Sequence, residues 1–383
     1  MSELEVIPVL KPSFGEEEIE AVAEVLRSGW AGLGPKTKLF EDEFAAYLGS
    51  PHLIGFNSGT AALHLALIAA GVAVGDEVIV TPITFVSTVH VIEYLGAKPV
   101  FADVEADTLN IDPVDVERKV TARTKAILCV HYGGNPCDME RLNEIAKGRG
   151  IKIIEDAAHA AGASYKGRKI GTISELTCFS FHAVKNLAMG EGGAISCSSD
   201  ETARYLREMR WMGITKDTFQ RTVEDKVYAW FYEVNHLGWK YHLSDVAAAI
   251  GRVQLKRLDE NNRKRKAIAQ RYTEELRGLD WLETPTVADW NESSWHLYVI
   301  KLTSLKQRDG MIRWLKENRI APGVHYYPIN LQPYYQEKYR GDPGLKLAVA
   351  NKIWERIISI PIFPDLTEDD QSRVIDAIKR FSG

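Results

Sequence analysis

Cysteine is scarce in this chain of 383 residues, and its four copies, Cys129, Cys137, Cys178 and Cys197, show no metal-ligand spacing. That excludes a disulfide scaffold and a zinc-type cluster, suits a reducing compartment and leaves no metal expected. Long apolar runs are missing too. The longest, Ala61 to Val74, contains His64 and falls short of the roughly 20 residues that span a bilayer. Charge of one sign is not in excess: the net charge is −5 and the pI about 6.1, so no basic surface for nucleic acid or a membrane is implied. The first residues, MSELEVIPVLKPSFGEEE, are acidic and lack the charged-then-apolar layout of a signal peptide. A cytoplasmic protein with no nucleic-acid or membrane partner is expected.

What is present is ordinary globular composition, 45% hydrophobic and 26% charged, over enough chain for two domains. Ser13 and Glu16 form a capping-box pattern before an amphipathic run to Arg27. Helices are expected at Gly59 to Ala70 and Ser87 to Leu95. Strands are expected at Glu77 to Thr81, Pro99 to Val104, Lys125 to Val130, Ile151 to Glu155, Thr177 to Phe181 and Ala194 to Cys197. Continuous apolar strands alternating with helices predict an α/β domain with a mostly parallel sheet covered on both faces. From about Ser244 one long or kinked helix follows, basic from Lys256 to Arg271, a run read as a solvated face. Beyond it come a strand (Trp295 to Leu302), a helix (Gln307 to Asn318), a short strand (Val324 to Tyr326) and helices at Leu345 to Ile357 and Thr367 to Arg380. These predict a large domain over 13–250 and a smaller C-terminal α/β domain over 251–383, with residues 1–12 packing on the latter.

Three segments carry the chemistry. FSFHAVKNLAMGEGGAI sets Lys185 between a strand-like run and a Gly-rich turn (Gly190, Gly192, Gly193), a context for a Schiff-base lysine rather than a surface one. IKIIEDAAHAAG places an acid at a strand's carboxyl end, where ligands of open α/β sheets bind. Asp156 is chosen over Glu155 as the partner of a protonated ring nitrogen, and His159, one helical turn on, could reach a ring hydroxyl. NSGTAALHLAL opens a helix with Ser58, Gly59 and Thr60, whose amides and hydroxyls could cradle a phosphate, with Ser180 adding a donor. Phe85 could stack on a ring face. Singly, each has a plain alternative: a helix cap, a structural histidine, a core aromatic, a strand-end serine. Together they read as a pyridoxal-phosphate (PLP) site.

With these residues in view, the chain resembles the DegT-type (DegT/StrS) nucleotide-sugar aminotransferases. The resemblance runs almost end to end through SGWAGLGPKTKLFE, NSGTAALHLAL, GDEVIVTPITFVSTV, VHYGGNPCDM, IEDAAHAAGASYKGRKIG, FSFHAVKN with EGGAI, GWKYHLSDVAAAIG, GVHYYPINLQPYY and ISIPIFPDLTEDD. It implies fold type I of the PLP-dependent transferases, the aspartate aminotransferase-like fold. It implies a homodimer with a shared active site, with PLP bound to Lys185 as a Schiff base and cycling through pyridoxamine phosphate. By the same resemblance Asp156 meets the ring nitrogen, His159 the ring hydroxyl and Phe85 the ring face, while Gly59, Thr60 and Ser180 hold the phosphate. Lys240 stands where many members have asparagine reaching the neighbouring subunit's phosphate. Trp30, His325 and Tyr326 match substrate-facing segments.

The lysine form resembles the branch containing the UDP-4-amino-4-deoxy-L-arabinose aminotransferase, which acts on nucleotide-linked 4-keto sugars with L-glutamate as donor and 2-oxoglutarate as by-product. The expected setting is polysaccharide or lipopolysaccharide biosynthesis. Amination of a 3-keto sugar, or of a keto-cyclitol with glutamine as donor, is the alternative. A PLP-dependent sugar dehydratase, which carries histidine in place of the lysine, is disfavoured by Lys185. A non-catalytic relative is disfavoured by Lys185 together with Asp156.

Overall fold

A computed structural model describes residues 5–217, 221 and 230–382. Its centre is a seven-stranded sheet in the order β1-β9-β8-β5-β4-β2-β3. The strands are β1 (His52–Phe56), β2 (Glu77–Val80), β3 (Lys98–Phe101), β4 (Thr124–Val130), β5 (Lys152–Asp156), β8 (Leu176–Ser180) and β9 (Gly193–Cys197). Between β5 and β8 lie two short strands, β6 (Ser164–Tyr165) and β7 (Arg168–Lys169), which form a separate small sheet with β11 (Asn291–Glu292). β2, β3, β4, β5 and β8 pair in parallel, and β9 runs antiparallel to both of its neighbours. Because side chains alternate along a strand, Val78 and Val80 enter one core and Ile79 the other. Ile154 joins the first core and Ile153 the second. Burial on both faces explains why these strands read as continuous apolar runs. All four cysteines are buried in or beside this sheet, and none is paired in a disulfide.

Helices α1 (Glu16–Ser28) and α2 (Pro35–Leu48) pack on the long helix Asp245–Leu276, and α3 (Gly59–Ala69) packs on β8 and β9. The long helix serves two cores. Ala248, Leu255 and Leu258 join the sheet's second core, while Ile268, Ala269, Tyr272 and Leu276 join a third, C-terminal one. The division expected between residues 250 and 251 falls inside this helix. The third core covers a three-stranded sheet, β10 (Leu282–Glu283), β12 (Tyr298–Leu302) and β13 (Ile357–Ile360), in the order β10-β12-β13. Ile7 is buried there and pairs with Ile320.

Four expectations need correction. The helix near residue 13 opens after Gly15, whose N–H donates to Glu18 Oε2 (2.8 Å), so Ser13 and Glu16 form no capping box. Ser13 instead offers its carbonyl to Gln254 Nε2 at 2.8 Å. Val324 to Tyr326 is not a strand: pairing is confined to Gly323 with Ser359, because the chain then turns so that His325 Nδ1 meets Ser359 Oγ (2.8 Å). Leu345 to Ile357 is not one helix. It holds the end of a turn (Pro343–Leu345), a short helix (Ala350–Ile353) and the first residue of β13, whose buried isoleucines supplied the apolar signal. The basic run of the long helix is only partly solvated. Arg265 is buried, donates to the Ile362 carbonyl (2.8 Å), and is pulled down to about 9 by that burial.

Candidate active site

The parallel strands deliver their carboxyl ends to one edge of the sheet, and the chemistry collects there. Asp156 closes β5 on the face of the first core, while Glu155, one residue earlier, points to the other face. Glu155 is fully engaged there by His131 Nε2 (2.9 Å), the Ser174 amide (2.9 Å) and Thr177 Oγ1 (3.0 Å). Asp156 accepts from Thr88 Oγ1 (2.8 Å) and the Ala158 amide (3.1 Å). Burial raises its carboxyl above the usual range, against the pull of these donors and of the Lys185 charge.

Lys185 follows β8. The residue keeps some surface, yet burial lowers its amine to about 8, with Asp156 acting in the opposite sense. An amine lowered to about 8 is uncharged in roughly one molecule in ten near neutral pH, far more often than an ordinary lysine, and the uncharged form is the one a nucleophile or a base requires.

The anion cradle is steric as well as electrostatic. Ser58 caps α3 by accepting from the Ala61 amide (3.1 Å), leaving the first-turn amides of Gly59 and Thr60 without partners inside the helix. A Cβ at residue 59 would lie 2.8 Å from Ser180 Cβ, and one at Gly193 would lie 2.4 Å from the Ser58 carbonyl oxygen. Two glycines thus bring the helix start, the end of β8 and the start of β9 together, so the dipole of α3 and the Ser180 hydroxyl face one point.

His159 is buried, with Nε2 3.2 Å from Tyr326 Oη and Nδ1 without any hydrogen-bond partner. Burial first, then the nearby Lys185 and His325, hold it well below the usual histidine range. His325 is lowered to about 4 by burial and Lys185, and its carbonyl accepts from Tyr132 Oη. Phe85 is exposed, its ring 6.4 Å from that of Tyr326. Lys185, Asp156, His159, His325, Tyr326 and Phe85 are therefore linked to one another by contact or electrostatics.

The side chains of two expected residues are held by other partners. Lys240 is exposed, its Nζ 3.4 Å from the Trp211 ring centre. Trp30 lies at the start of α2, its indole N–H donating to the Leu33 carbonyl (2.9 Å). Among the described residues, no group of three or more His, Cys, Asp or Glu could hold a metal ion, and no helix is long and apolar enough to cross a membrane.

The sequence profile of the DegT/DnrJ/EryC1/StrS aminotransferases matches residues 12–379. The chain belongs to that family. Among characterised DegT-family relatives it is 43% identical over 377 residues to the spore coat polysaccharide biosynthesis protein SpsC of Bacillus subtilis, covering 97% of this chain and 96% of that one. A protein of Streptococcus pneumoniae described as a sugar aminotransferase, solved in its PMP form, superposes with a TM-score of 0.91 at 33% identity, covering 97% of this chain and 98% of that one. PseC of Helicobacter pylori, an aminotransferase involved in pseudoaminic acid biosynthesis, gives a TM-score of 0.90 at 29% identity, covering 98% and 99%. The family and fold that the sequence resembles are thus those found, and the enzyme class is aminotransferase.

Within this DegT-family site, sequence reading passed over Thr88, Tyr132, Asn186, Ser294 and His296. Thr88 had a usable signal: it lies one turn after Phe85, where α4 (Ser87–Tyr94) starts beside the end of β2. Asn186 directly follows the lysine. Ser294 and His296 are far away in sequence and carried no signal.

Proposed function

We propose that this chain transfers an amino group from L-glutamate to a nucleotide-linked 4-keto sugar, giving a 4-amino-4-deoxy sugar, with PLP as cofactor. The observation that carries the reading is the enclosed Lys185 amine, lowered to about 8, beside the buried Asp156 carboxylate and in reach of an anion cradle. These residues fit PLP on three counts. The Gly59–Ser180 cradle suits its phosphate, Asp156 its ring nitrogen, and the unpartnered His159 Nδ1 its ring hydroxyl. When bound, that cofactor supplies an electrophilic carbon for amines and a ring that draws electrons from the bond being broken.

The protein's own groups do the rest. Lys185 Nζ would hold the cofactor and, when free, would be the base placed to carry a proton at the reacting carbons. Asp156, aligned by Thr88 and Ala158, holds the proton on the ring nitrogen. Gly59, Thr60 and Ser180 fix the phosphate, and Phe85 covers a ring face. Lys240 supplies a cation to the neighbouring subunit's phosphate, while His325, Tyr326 and Trp30 line the sugar side. The enzyme works as a cytoplasmic homodimer in polysaccharide biosynthesis. The exposed Trp230, Phe231 and Leu237, close in sequence to Lys240, support an interface between two copies.

The test is a glutamate-dependent amination assay over UDP-, dTDP- and GDP-linked 4-keto sugars with one 3-keto sugar, read by product mass and 2-oxoglutarate release. Amine from a 4-keto member is expected. Amine from the 3-keto sugar alone would move the reaction to that position. No amine from any, with glutamate still converting the cofactor, would favour a keto-cyclitol acceptor.

A further inference from the structure

Two imidazoles lie face to face beside the lysine. The rings of His159 and His296 are 4.4 Å apart and 29° from parallel, and both are buried. Hydrogen bonds fix how the second ring is protonated. Asn262 Nδ2 donates to the Ala161 carbonyl (3.0 Å), so Asn262 presents its oxygen to Asn186 Nδ2 (2.9 Å). Asn186 Nδ2 also donates to the Ser294 carbonyl, at 2.7 Å. Carbonyl acceptors at both ends leave the Asn186 amide one orientation, and its Oδ1 therefore faces His296 Nδ1 at 3.0 Å. That nitrogen must carry the hydrogen. The circuit closes through Ser294 Oγ, which donates to the His159 carbonyl (2.7 Å).

The circuit joins the residue after Lys185, the long helix, the stretch before β12 and the turn after β5. It ties the Asn186 side chain, next to Lys185, and the His159 backbone into one set of bonds, and the His159 ring stacks on the His296 ring that this set orients. What it leaves open is one atom, His159 Nδ1, buried and without a partner. Buried polar atoms of that kind are rare and signal a missing partner. We propose that Asn186 and His296 are positioning residues for the reaction: they fix the tautomer of His296 and with it the plane against which the His159 imidazole stacks, so that His159 presents a fixed hydrogen-bonding nitrogen to the ring hydroxyl of the cofactor. The inference rests on the reading that His159 faces that hydroxyl.

A donor held on the hydroxyl oxygen competes for the lone pairs that the proton on the lysine–cofactor nitrogen also uses. A loosened donor leaves that proton more firmly held, so the pH at which the cofactor's visible band changes moves upward. The experiment is a spectrophotometric pH titration of the holoenzyme, with kcat, KM for glutamate and the thermal midpoint measured alongside. His296→Phe keeps a flat ring against His159 but removes the Nδ1–H bond to Asn186. It is expected to retain cofactor, to raise the band midpoint by about one pH unit, and to lower kcat roughly tenfold with KM within about twofold. Ser294→Ala should shift the midpoint in the same direction by less.

A midpoint within about 0.2 unit of wild type for His296→Phe, with unchanged kcat, overturns the proposal. Should that variant not fold, His296→Gln is titrated instead, and a wild-type midpoint for it overturns the proposal equally. His159→Asn separates the two levels. If it shifts the midpoint while the His296 and Ser294 variants do not, only the positioning role fails. If it too titrates like wild type, the placement of His159 on the hydroxyl fails and the proposal with it.

Discussion

Lys185 sits between two opposed effects, and burial wins over the attraction of Asp156. The consequence is a pH signature in the cofactor-free protein. Below about pH 8 folded and unfolded chains both carry the Lys185 charge, and folding bears the cost of burying it. Between about 8 and the 10.5 of an ordinary lysine only the unfolded chain keeps the proton, so stability should rise with pH across that window. Unfolding free energies from urea titrations of wild type and Lys185→Met should converge by roughly 2–3 kcal/mol from pH 8 to 10.5; parallel curves would show the amine to be less buried. Gly59→Ala pushes a methyl to 2.8 Å from Ser180 Cβ, so PLP affinity should fall about tenfold or more, at a stability cost of about 1–3 kcal/mol. Equilibrium dialysis and thermal melts would check both. Asp156→Ala should lower kcat by at least about 10²-fold with cofactor still bound, since it removes a preset charge, and unchanged steady-state kinetics would place the ring partner elsewhere. At this scale the sequence was informative wherever a residue's role follows from its place on one element. Asp156 could be chosen over Glu155 from its position at a strand end. The Asn186–His296 contact could not, because its two members come from segments over a hundred residues apart that only the folded chain brings together.

Among elements, the junction of α2 with the long helix shows how a local signal can serve a distant partner. Ser244 caps its own helix by accepting from the Ala247 amide (3.3 Å). Asp245, the next residue, instead caps α2: its carboxylate accepts from the Lys36 amide (3.0 Å), the Thr37 amide (2.8 Å) and Thr37 Oγ1 (2.8 Å). Asp245→Ala should cost roughly 2–3 kcal/mol in a urea titration, more than the about 1 kcal/mol expected of Ser244→Ala, because it strands several buried donors. Equal losses would argue that Asp245 acts only on its own helix. The strands of the central sheet other than β1, and the long helix, were legible because length and periodicity agreed. Residues 345–357 were not. Ile353 and Ile357 are spaced as a helix would space them, yet pairing of β13 with β12 makes Ile357 a strand residue of the first core and turns Ile358 and Ile360 into the third. Helix and strand compete for short apolar runs, and here tertiary pairing decided.

For the molecule as a whole, the exposed aromatic and aliphatic side chains at residues 230–237 lead to a prediction about assembly. Wild-type protein should sediment as a dimer, and Phe231→Lys with Leu237→Lys should shift it toward monomer with loss of amination and an unchanged far-ultraviolet circular dichroism spectrum. A double variant that stays dimeric and active would put the interface elsewhere. The buried cysteines allow a different kind of observation. Cys129 and Cys178 lie within β4 and β8, Cys197 ends β9, and Cys137 follows the β4 end, so all four thiols are shielded by the large sheet and none by the C-terminal core. An alkylating reagent added to the native enzyme would therefore act as a clock for opening of one part of the molecule, counting up to four labels as the sheet parts and staying silent while the C-terminal region alone breathes.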